Sequence, residues 1–182
     1  GLDKTALKAN GFELMGNVGA GTGATVGKIK GMKLAQKSGL GIHSVSIGGF
    51  VMTAVVAVNA LGDIINPENG KKIAGLHTPD RKAFDDTRLT IYKSLAPKNL
   101  FTGNTTIGAI ITNGLFSKAE MNKIASMAAN AYARCIYPVG TMADGDTVYA
   151  ASAPAPEFIR DNEENACGGG FVRVDINAAG TL

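Results

Sequence analysis

Apolar positions along the chain change their period from segment to segment, and each change marks a different element. From His43 to Leu61 the sequence opens with alternation of period two and then becomes almost wholly apolar and β-branched. It predicts one strand, or two broken at Gly48-Gly49, with the second half buried on both faces and Asn59 at its end. Thr105 to Thr112, Thr-Thr-Ile-Gly-Ala-Ile-Ile-Thr, predicts a buried strand that starts abruptly after Gly103-Asn104, and Asn113-Gly114 then turns the chain. Ser117-Lys-Ala-Glu120 has the spacing of a capping box, so a helix starts there. It should run to about Ile136, ahead of Pro138, with Met121, Ile124, Met127, Ala128, Ala131, Tyr132 and Cys135 on one face. Two further strands are predicted near Thr147–Ala151 and Phe171–Ile176. Between Asp63 and Asn99 the Asn-Pro, Glu-Asn-Gly and Thr-Pro signals and the many charges predict turns and an exposed connection. The order is α+β, a sheet covered by helices.

Composition narrows the function classes. The 182 residues are 45% apolar, enough for one domain, residues 1–182, that buries roughly two-thirds of its unfolded surface. Only 18% are charged and the balance is +3, which indicates neither a disordered polyelectrolyte nor a nucleic-acid binder. No apolar run reaches the ~18 residues of a membrane span. No charged n-region with an apolar stretch opens the chain, so Cys135 and Cys167 are expected as reduced thiols and the protein as soluble and cytoplasmic.

The 24 glycines cluster between Gly16 and Gly27 and again at Gly168–Gly170. A Walker A loop is excluded, because Thr22 and Ile29 stand where it needs Gly and Ser or Thr. Gly19-Ala-Gly21-Thr-Gly23-Ala24 fits a dinucleotide fingerprint, but no acidic residue lies between Glu13 and Asp63 to take the ribose. A tight loop packed on other backbone is the reading left, and such a loop can deliver Lys28 to a site. Lys28, Lys30, Lys33 and Lys37 lack interleaved aromatics and read as a solvated face. Asp144-Gly-Asp146 puts two carboxylates on one face of a regular strand. His43 and His77 have no ligand spacing, so neither a metal nor a cofactor is expected.

Four of these blocks, taken in order, resemble one family. Val18-Gly-Ala-Gly-Thr-Gly-Ala-Thr-Val-Gly-Lys28, Val-Val-Ala-Val-Asn59, Gly103-Asn-Thr-Thr-Ile-Gly-Ala-Ile-Ile-Thr-Asn113 and Asp144-Gly-Asp-Thr147 are similar to the DmpA-type aminopeptidases and amidohydrolases, including their 6-aminohexanoate (nylon) oligomer hydrolase branch. The resemblance implies a precursor that cuts itself between Asn104 and the nucleophile Thr105, and a layered α-β-β-α sandwich of the type shared with ornithine acetyltransferase, incomplete in this chain. Residues 1–104 would belong to the first (alpha) subunit and 105–182 to the second (beta) subunit. It further implies that Lys28, Asn59, Asp144 and Asp146 surround Thr105, that the enzyme is a homo-oligomer, and that an N-terminal part of the precursor accompanies this C-terminal portion. The expected substrate is a small amide or peptide. Transfer to an amine, as in ornithine acetyltransferase, and a non-catalytic α/β assembly domain are the competing readings.

Side-chain chemistry agrees with the need for a cut. A threonine hydroxyl is a weak nucleophile without a base in reach, and a freed α-amino group with a pKa of about 8 supplies one on the same residue. Asn59 is the expected oxyanion donor, the two aspartates would orient the Thr105 amine or relay its proton, and Lys28 would tune the charge.

Overall fold

The structure, a computed structural model, describes residues 14–94 and 103–153 in full and the backbone of 171–175. In chain order its elements are β1 Thr25–Val26, β2 Gln36–Lys37, β3 Leu40–Ile47, β4 Phe50–Ala57, β5 Asp63–Ile65, β6 Lys72–Ala74, α1 Thr87–Lys93, β7 Ile107–Thr112, α2 Lys118–Cys135, β8 Ile136–Tyr137, β9 Thr147–Ser152 and β10 Phe171–Asp175. The content is α+β, as the sequence predicts.

The main sheet has the order β10-β9-β7-β4-β3. Strand β7 lies at its centre, antiparallel to β4 from Met52↔Thr112 to Ala57↔Ile107 and parallel to β9 from Ile107↔Thr147 to Thr112↔Ser152. The parallel pair requires a crossover, which α2 supplies. Ser117 caps α2 by accepting from the Glu120 N–H, while the Glu120 carboxylate accepts from the Ser117 N–H at 2.8 Å. Met121, Ala125 and Tyr132 of α2 pack with Val148 and Ala150 of β9, and Val56 and Ile110 join them from β4 and β7. A smaller core joins Ile29, Leu61, Leu76 and Ala143 beneath the glycine loop.

Three expectations change. Met127 and Ala131 are exposed while Ala125 is fully buried, because the buried stripe follows 121, 125, 128 and 132. Strand β4 is half-buried along most of its length, since its face opposite α2 carries no described element over Val55 and its neighbours Ile107 and Ile111, 49% and 43% exposed. The connection after Asp63 is structured as far as Ser94: β5, β6 and α1 fold around the Asp63 carboxylate, which is 2% exposed. It accepts from Leu76 N (2.8 Å), Thr87 N (3.0 Å), Thr87 Oγ1 (2.8 Å) and Lys72 Nζ (2.6 Å). A buried carboxylate is tolerated because every contact is a donor. Residues 95–99, Cys167 and Gly168–Gly170 lie outside the described residues.

Candidate active site

The glycine loop is fixed by a close approach of backbone to backbone. Gly27 has φ +68°, and a Cβ there would sit 2.0 Å from Leu76 N. Without a side chain, Gly27 N donates to Gly62 O at 2.9 Å and Lys28 N to Leu61 O at 3.1 Å, which lays the loop along the segment that follows β4. That register aims the Lys28 side chain at Asn59, whose Oδ1 accepts from Lys28 Nζ at 2.6 Å and from Thr25 N at 3.2 Å. With both Oδ1 partners being donors, Asn59 Nδ2 must point the other way, and it donates to Gly103 O at 2.9 Å.

The Asn59 backbone holds the next residues. Its carbonyl accepts from Thr105 N at 2.8 Å. The Asn104 carbonyl accepts from Gly145 N at 2.8 Å and from Thr105 Oγ1 at 2.6 Å. Asn104 is 2% exposed, pairs with Asp144 in a parallel bridge, and donates from Nδ2 to Ala143 O at 3.2 Å. Its Oδ1 is buried without a hydrogen-bond partner among the described residues.

The two aspartates divide their work. Asp144 accepts from Leu61 N at 3.1 Å on Oδ1, and from Thr141 N at 3.2 Å and Thr141 Oγ1 at 2.6 Å on Oδ2, so it ties the segment after β4 to the turn before β9. Asp146 accepts from Thr106 N at 2.7 Å and is 1% exposed. Burial raises the Asp146 carboxyl above its ordinary value; the Thr106 N–H opposes the rise and the Asp144 charge adds to it. Burial also lowers the Lys28 ammonium from 10.5 to about 8, against the opposing attraction of Asp144 and Asp146.

The structure therefore brings Lys28, Asn59, Asn104, Thr105, Asp144 and Asp146 into one linked cluster. Sequence reading passed over Thr141 and Gly145. The Thr-x-x-Asp spacing of Thr141 and Asp144 was a usable signal, since hydroxyl and carboxylate side chains at turns bond locally. Gly145 contributes a backbone N–H, which no residue pattern announces. No group of three or more His, Cys, Asp or Glu placed to hold a metal ion occurs among the described residues.

The profile of Peptidase family S58 matches residues 3–168, and the chain belongs to that family. It is 32% identical over 151 residues to an uncharacterized aminopeptidase of Mycobacterium leprae (strain TN), covering 79% of this chain and 38% of the relative. It is 31% identical over 141 residues to a 6-aminohexanoate-oligomer endohydrolase of Kocuria sp. (strain KY2), covering 75% and 39%, and 30% identical over 142 residues, with the same coverage, to the enzyme of that name from Paenarthrobacter ureafaciens. The chain thus spans about two fifths of the length of the curated relatives it matches.

Proposed function

We propose that this chain carries the centre of a self-cleaving amide hydrolase, in which the bond between Asn104 and Thr105 is cut and Thr105 becomes an N-terminal nucleophile. The observation that carries the reading is the Thr105 hydroxyl, 2.6 Å from the carbonyl oxygen of its own preceding residue, while the nitrogen of the same peptide is held by Asn59 O at 2.8 Å. A hydroxyl beside the peptide it would attack, with that peptide fixed at both ends, is the arrangement an intramolecular acyl shift needs. Family membership and relatives named as an aminopeptidase and as oligomer endohydrolases support amide bonds of small linear molecules as the substrate class.

In the cut protein, the Thr105 α-amine takes the hydroxyl proton, the Oγ–C bond to the substrate acyl group forms, and the substrate amine leaves with that proton. Water then hydrolyses the acyl-enzyme and restores the hydroxyl. Departure of Gly103 would strip Asn59 Nδ2 of its acceptor and leave it free to donate to a developing oxyanion. Lys28 sets the charge behind Asn59, and Asp146 braces the strand through Thr106. The apolar sheet face bearing Ile107 and Ile111 is where a second layer of an α-β-β-α sandwich would pack, supplied by the remaining N-terminal part of the precursor. Assembly as a homo-oligomer belongs to the same reading.

Replacing Thr105 with Ala should leave an uncut precursor with no amidase activity, followed by intact mass and by hydrolysis of linear 6-aminohexanoate oligomers and dipeptide amides. A Thr105→Ala protein that still yields a fragment beginning at residue 105 removes the proposal.

A further inference from the structure

We infer that the backbone N–H of Gly145 is the oxyanion donor of the self-cleavage step, holding the Asn104 carbonyl oxygen as it becomes tetrahedral. The inference rests on the self-cleavage reading above and adds the group that stabilises its charge.

The bond from Gly145 N to Asn104 O is 2.8 Å long, within the range of a working oxyanion contact. By position it is also a rung of the parallel ladder, continuing the bond from Thr147 N to Thr106 O at 2.9 Å. Two observations separate it from an ordinary rung. The same carbonyl oxygen accepts the Thr105 hydroxyl at 2.6 Å, so the acceptor belongs to the peptide bearing the proposed nucleophile. Gly145, moreover, is not in the left-handed region, so its backbone would admit alanine, yet an added Cβ would stand 2.9 Å from Thr105 Oγ1. The missing side chain is explained by room for that hydroxyl rather than by a turn. Asn59 Nδ2, the donor expected from the sequence, is held on Gly103 O instead, which leaves Gly145 to act on Asn104.

The step balances within the chain. The Thr105 Oγ–C bond to Asn104 forms as the Asn104 C–N bond breaks, and the hydroxyl proton ends on the new Thr105 amine. Water then gives its hydroxyl to the Asn104 carboxyl and its proton to Oγ. Within each event, after Oγ or water has added to the Asn104 carbon and before the old bond breaks, the former carbonyl oxygen bears the negative charge that the Gly145 N–H faces.

Glycolic acid placed at position 145 during cell-free translation of the full chain turns the Asp144–Gly145 amide into an ester and deletes this N–H alone. Timed intact-mass measurement should show cutting slowed about 10²–10³-fold, with the melting profile near that of the parent. A folded ester variant that cuts at the parental rate overturns the inference, whereas a parent that never cuts overturns the self-cleavage reading itself. Should the ester variant fail to fold, a natural pair decides. Gly145→Ala keeps the N–H but crowds the hydroxyl, so it should cut at least about tenfold slower, and adding Thr105→Ser should restore part of the rate because a hydroxyl without its methyl neighbour can swing aside. Parental cutting by Gly145→Ala, or no recovery in the double variant, counts against a reacting centre at Gly145.

Discussion

Lys28 is 8% exposed, yet its ammonium is bound to a neutral amide oxygen, and its nearest negative charges act through space. With a pKa near 8, it changes charge in mildly alkaline solution instead of far above it. The neutral amine dominates above that value and is the form able to accept a proton. The uncut precursor isolates this effect, because Thr105 has no free amine to titrate at similar pH. Its rate of self-cleavage should therefore rise with pH through a step near 8. Lys28→Met should abolish the step, and so should Lys28→Arg, which keeps its charge throughout. A step that survives both, read from cleavage rates between pH 6 and 10, would assign the titration elsewhere.

At the scale of elements, Asp144 joins the ends of two strands. Asp144→Ala would leave the Leu61 N–H buried without an acceptor and free the Thr141 turn, at a cost of about 1–3 kcal/mol in urea unfolding. Asp144→Asn should cost less, because its remaining oxygen still faces Leu61. Sequence patterning showed α2 almost to the residue, since its capping box and Pro138 mark both ends chemically. It placed the start of β7 at Thr105, two residues before the ladder begins at Ile107. Thr105 N and Thr106 N donate to Asn59 O and Asp146 Oδ1 instead of a neighbouring strand, which is where the chain stops being sheet and becomes site. β5, β6 and α1 were illegible because what orders them is the polar hub of Asp63, and no apolar period records it. The clustered side chains of the candidate site were legible as chemistry and as a family pattern, but the backbone donors between them were not.

For the whole molecule, the uncovered sheet face sets the sharpest test. In the full-length precursor Ile107 should be buried against the proposed second layer, although it is 49% exposed in this chain. Ile107→Lys should then destabilise the precursor by about 2–4 kcal/mol, against about 0.5 kcal/mol or less at a solvated position. Denaturant titration of the two full-length proteins separates the cases. No helix among the described residues is long and apolar enough to cross a membrane.

The position of β7 between β4 and β9 has a kinetic consequence. A scission before Thr105 assigns β3 and β4 to one polypeptide and β7, β9 and α2 to the other, yet the rungs from Met52↔Thr112 to Ala57↔Ile107 span the divide, as does Asp63↔Tyr137 in the smaller sheet. Separation would expose two raw strand edges in the middle of a core, so the halves hold together while folded. Once denatured, they must find each other by diffusion. Renaturation of the processed protein then becomes second order and dependent on concentration, while the unprocessed chain refolds by a first-order route.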